Sequence, residues 1–128
     1  MISEFVTMLQ GAGLSFTTID HAPEMEPVDT WASKAPALYV MPAEDTAGEN
    51  IRDNGVRQAI EKEVVVYVVC DTSARESLTD ELRSAAMGWQ PDTSHDEMIL
   101  VGGSPAMING SKMVWQETYQ ITGYATST

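Results

Sequence analysis

Few residues of this chain stand at spacings that could do chemistry. Gly102-Gly103-Ser104-Pro105-Ala106 comes closest, one residue short of the glycine-flanked turn that raises a nucleophilic serine. Pro105 removes an N–H that an oxyanion hole would use, and neither His21 nor His95 follows Ser104, as the chain order of that turn requires. A plain Gly-Gly turn is expected instead. His95-Asp96-Glu97 lines up three metal-ligating types, but adjacent loop residues do not converge on one ion. Zinc needs several His or Cys, and the chain has two histidines and one cysteine. Asp45, Glu49 and Asp53 could gather a hard cation, yet their spacing is not that of an EF-hand, and a solvated loop is expected. Gly11-x-Gly13 lacks the third glycine of a dinucleotide fingerprint, with Phe16 in its place, and no phosphate loop occurs. Asn109-Gly110-Ser111 has the form of a glycosylation sequon and reads as a turn. These residues predict no catalytic, metal-binding or nucleic-acid-binding site and no cofactor.

The composition sets wider limits. A chain of 128 residues, 43% hydrophobic, is long enough for one real core, so a single domain over 1–128 is expected. Its longest apolar run, 64–70, is far short of the roughly 20 residues of a membrane-spanning helix. Glu4 is the first charge, so the start lacks the basic, then apolar, pattern of a secretory leader. Cys70 is alone, which excludes a disulfide framework and suits a small buried hydrophobe. Nineteen acidic residues against seven basic give a net charge of −12. Such a surface repels phosphate backbones and anionic membranes, so neither is expected to adhere.

The elements that would position these residues can be read in order. Residues 2–10 suit a helix with Phe5, Val6 and Leu9 in a stripe, stopped by Gly11 and Gly13. A short strand is expected within 15–21, a Pro-containing acidic loop at 22–29, and a helical turn carrying Trp31 at 28–34. Pro36 and Pro42 bracket a short strand at 38–41 whose tips should leave the ladder. The stretch 43–55, with Glu44, Asp45, Gly48, Glu49, Arg52, Asp53 and Gly55, reads as an exposed acidic loop. The strand 58–70 is apolar on both faces across 64–69, which predicts a central strand covered on both sides. Ser73 and Glu76 form a capping-box pattern for a helix on which Leu78, Leu82, Ala85, Ala86 and Trp89 recur at helical spacing. Gly88 and Pro91 end it. A strand at 98–101 should stop at Gly102-Gly103, and Asn109-Gly110 signals a hairpin. The last strand, 113–124, places Trp115, Glu117, Tyr119 and Ile121 on one face. Trp31, Trp89 and Trp115 are core or interface anchors. Trp115, an aromatic among polar neighbours, is a candidate contact to a second subunit.

This order of elements is specific in combination. Pro36-Ala37-Leu38-Tyr39-Val40, Gln58 ahead of 64–69, Gly88-Trp89-Gln90-Pro91, Gly102-Gly103, and Trp115 before Tyr119 together resemble the tail terminator proteins of long-tailed bacteriophages. The resemblance implies an α+β fold with a mixed or antiparallel sheet, helices packed mainly on one face, and assembly as a hexameric ring. It implies a virion protein at the head-proximal end of the tail tube, made in the bacterial host cytoplasm. There it would end tube polymerisation and offer the joining surface for the head-side neck. The implied partners are its own copies, the tube protein and a neck or stopper protein, with DNA passing through unbound and no membrane. Candidate ring-interface residues are then Trp115, Glu49, Asp53, Arg52 and Arg57. The alternatives are another neck or head-completion protein of the stopper type, or a small α+β ligand-binding domain or enzyme of the host.

Overall fold

The computed structural model describes residues 1–22, 35–50 and 55–127. The expected helical turn at 28–34 with Trp31, the stretch 23–29, and Arg52 and Asp53 lie outside the described residues. The order is α1 (Ile2–Gln10), β1 (Thr18–His21), β2 (Ala37–Asn50), β3 (Val56–Asp71), a 3-10 turn (Thr72–Ala74), α2 (Arg75–Ala86), β4 (Ile99–Asn109) and β5 (Lys112–Ser127). The five strands form one sheet in the order β1-β2-β3-β5-β4. β1 lies parallel to β2 and every other pair is antiparallel, so the sheet is mixed and the fold α+β. β3 is the middle strand, as its two apolar faces predict.

Both helices cover the same face. Phe5, Val6 and Leu9 of α1 and Leu78, Leu82 and Ala86 of α2 bury against Leu38, Val40, Val64, Val66, Val68, Cys70, Tyr119 and Ile121. Full burial of each such Val or Leu contributes roughly 1.5–3 kcal/mol, which makes this layer the main source of stability. The rings of Phe5 and Trp89, 5.1 Å apart, tie α1 to the chain leaving α2. The opposite face of the sheet has a smaller buried cluster of Ala37, Tyr39, Val69 and Val114, with Ala22 and Ala35 packed on it. The burial of 64–69 on both faces explains why alternation is absent there.

Three local expectations are corrected. The strand around 38–41 does not end at Pro42 but continues to Asn50, opposite β3. A register shift between Pro42 and Asp45 absorbs the proline, which has no N–H to give the ladder. The strand 98–101 likewise does not stop at Gly102-Gly103; it runs through both to Asn109, with shifts at Leu100/Gly102 and Pro105/Met107. The Ser73/Glu76 capping box does not form. A 3-10 turn leads straight into α2, whose N-cap is Ala74, and the Arg75 N–H bonds the Thr72 carbonyl instead. The β4–β5 hairpin forms where Asn109-Gly110 signals it, with Asn109 pairing to Lys112 and Gly110-Ser111 as the two-residue loop. Gly110 takes φ +64 as the first loop residue, the position at which a tight hairpin turn favours glycine.

Candidate functional site

The residues with chemical potential are dispersed by the fold. Ser104 lies in β4 opposite Gln116, exposed and remote in register from either histidine. His21 sits exposed at the end of β1. His95 is held on β5: its Nδ1 lies 2.8 Å from Asp92, its Nε2 is 3.0 Å from Lys62 Nζ, and its backbone bridges to Gly123. The Tyr124 hydroxyl donates to Asp96 at 3.2 Å, so this cluster fastens the 92–96 loop to the sheet. Hydrogen bonds from Ser94, then from His95, pull the Asp92 carboxyl down to about 2. Cys70 is buried in β3, and burial, with Asp71 second, raises its thiol. Among the described residues, no three His, Cys, Asp or Glu side chains gather to hold a metal, and no helix is long and apolar enough to cross a membrane. The open groove of about 750 Å³ between the α1–β1 turn and α2 is lined by Leu14, Glu76, Asp80 and Glu81 with three serines. Its polar lining is carboxylates and hydroxyls.

Among the described residues, the one buried charge belongs to a structural lock. Glu117, fully buried on β5, accepts two hydrogen bonds from Arg83 of α2, at 2.7 Å from Nε and 3.2 Å from the terminal nitrogen. The Trp115 indole N–H donates to the same carboxylate at 3.1 Å, and the Arg75 guanidinium covers the Trp115 ring at 4.5 Å. The hydrogen bonds that Arg83 donates to Glu117 raise its pKa. Beside it, the Tyr119 hydroxyl is buried with no hydrogen-bond partner among the described residues, and burial, then the Glu117 charge, pushes its pKa up. Gly103 stands directly opposite Glu117 in the ladder. A Cβ there would overlap the Glu117 carboxylate and come within 2.9 Å of the Trp115 indole, so only glycine fits.

Trp115 thus engages its N–H and one ring face within its own subunit. The remaining described candidates, Glu49 and Arg57, lie far from it on a projecting arm. The stretch expected as a loop at 43–55 is, as far as Asn50, a strand of that arm. Asp45 pairs with Lys62, Thr46 with Glu61 and Ala47 with Ile60, while β3 continues against β5 from Glu63 to Val56. Polarity does not prevent a ladder here, because β3 supplies a hydrogen-bonding template and both faces are open to water. At the tip, Asn50 Oδ1 accepts the Arg57 N–H at 2.9 Å, the Gln58 side chain donates to the Gly48 carbonyl at 2.8 Å, and the Arg57 guanidinium lies 4.8 Å from the Tyr124 ring centre. Glu49 is exposed beside them. Arg57 pairs with Thr126 and Val68 with Trp115, so the arm tip and Trp115 are separated by 11 positions of β5, roughly 35 Å.

The Glu117 lock was not foreseen, although a carboxylate at an inward position between Trp115 and Tyr119 demands a cation. Arg75, Thr79 and Arg83, spaced by four on α2, would have pointed to it. A search among curated proteins gives no match for this chain. A family model described as phage tail terminator protein matches residues 4–127.

Proposed function

The chain belongs to the phage tail terminator family, and from that membership we propose that six copies close the head-proximal end of the tail tube as a ring. A structural role in the bacteriophage tail, and so in the virion, follows from the family itself. In the finer reading, the ring stops tube polymerisation and offers the surface on which the head-side neck joins. Its partners are its own copies, the tube protein and a neck or stopper protein, and its work is assembly rather than catalysis.

The observation that carries this reading is the extent of the match, which takes in all five strands and nearly all of α1 as well as α2. Charge supports it. A chain at −12 bordering a channel gives a sliding phosphate backbone no cationic trap. The arm adds Glu44, Asp45, Glu49 and Glu61 beyond the helix-covered core, a solvent-facing extension able to reach a neighbour. Removing the protein from an infected cell tests the reading. Tails of abnormal length that fail to join filled heads are expected, and normal infectious particles would refute it.

A further inference from the structure

Within that ring reading, on which this inference rests, we propose that the outer edge of β4 is a seam at which a second copy of this chain docks. Among the described residues, six large hydrophobic side chains are exposed, and three of them, Ile99 (54%), Val101 (53%) and Ile108 (63%), lie on this one strand. A fourth, Met87 (52%), lies beside its start, since the Gly88 N–H bonds the Met98 carbonyl and fastens the end of α2 there. Ile99 pairs with Gln120 and Ile108 with Met113, so the apolar contacts sit near the two ends of the edge, roughly 24 Å apart, with Ile108 on the helix-covered face and Ile99 on the opposite one. A neighbour that clasps this edge covers exposed apolar side chains on both faces of the sheet.

Charge selects the occupant. Every copy carries −12, so identical subunits repel wherever acidic faces meet. The arm exposes Glu44, Asp45, Glu49 and Glu61, and α2 presents Glu76 and Asp80. Residues 98–111 contain no ionisable side chain. Behind them, the sole charge of β5 between Met113 and Gln120 is Glu117, buried and neutralised by Arg83. A second strongly acidic copy can approach this edge without bringing like charges together.

The seam works by side-chain packing rather than by extending the sheet. Two register shifts, at Leu100/Gly102 and Pro105/Met107, interrupt β4, and Pro105 has no N–H to offer. These are devices that prevent strand addition at an edge.

Lysine substitutions separate the seam from general repulsion, because each one lowers the negative charge and should by itself favour association. Ile99→Lys and Ile108→Lys, singly and together, are compared with Thr46→Lys on the arm by analytical ultracentrifugation and thermal melting. The β4 variants are expected to weaken self-association about tenfold or more while melting like the wild-type subunit. Thr46→Lys should assemble at least as well as wild type. Should the double variant melt early, Ile108→Ser carries the same expectation. β4 variants that form rings at wild-type concentrations overturn the seam and leave the ring reading intact. Variants that close rings but no longer cap tail tubes overturn it too, assigning the edge to a tube or neck protein. A wild-type chain that forms no ring, alone or on tubes, removes the ring reading and the seam with it.

Discussion

Arg83 of α2 holds both carboxylate oxygens of Glu117, a residue of β5 with no solvent exposure. The two are 34 positions apart in sequence, and their contact fixes the helix over the sheet at a point where the core layer would otherwise be apolar. Trp115 and Gly103 complete the enclosure, one by donating to the carboxylate and the other by leaving room for it.

Breaking this pair should cost more than its location near the end of α2 suggests. Arg83→Ala leaves a buried carboxylate with only the Trp115 N–H, and a loss of about 3 kcal/mol is expected, the low end of the range because the Arg83 side chain is one-third exposed. Urea denaturation measures it. A loss below about 1 kcal/mol would mean that water replaces the guanidinium.

Adjacent glycines should respond differently to the same methyl group. Gly103→Ala drives a Cβ into the Glu117 carboxylate and the indole, so a loss of about 1–3 kcal/mol is expected. At Gly102 a Cβ meets nothing within 4 Å, and alanine should be nearly neutral. Thermal melts of the two variants decide the matter, and equal effects would contradict the packing described.

The loop on β5 carries an acid-resistant anchor. Asp92 is depressed to about 2, first by Ser94 and then by His95. Its ionised form therefore favours the folded state fully above the ordinary aspartate value of about 4, and this contribution fades as the pH falls through about 2. Carboxyl NMR should find the Asp92 midpoint near 2 in the native chain and higher in Ser94→Ala. An unchanged midpoint in that variant would exclude the serine as the main cause.

The arm should behave as a ladder even in an isolated subunit. Alternate amides at 45–47 and 58–62 are expected to exchange more slowly than those of the Gly110-Ser111 turn. Hydrogen exchange as fast as that of the turn would restore the loop reading of this stretch.

The central layer was legible because its cause is local. An apolar run on both faces, 64–69, has no place except the middle of a covered sheet, and the Leu78–Leu82–Ala86 stripe has no partner except that sheet. The β2 half of the arm was not legible, because a strand of Glu, Asp and Thr lacks apolar alternation and owes its form to the β3 template beside it. β4 was cut short for a related reason: Gly102-Gly103 reads as a turn, whereas here one glycine lies beside a bulge and the other leaves room for a carboxylate. Of the candidate contact residues, Trp115 turned inward toward Glu117 and Arg75, while Glu49 and Arg57 stand on the arm. Spacing alone does not show that these lie at opposite ends of β5.

Electron cryo-microscopy of the intact particle tests the central claim most directly. The account predicts a single ring of six copies between the last layer of the tail tube and the neck, with neighbouring subunits meeting along the β4 edge. Copies distributed along the tube, confined to the capsid or placed at the distal tip would contradict it.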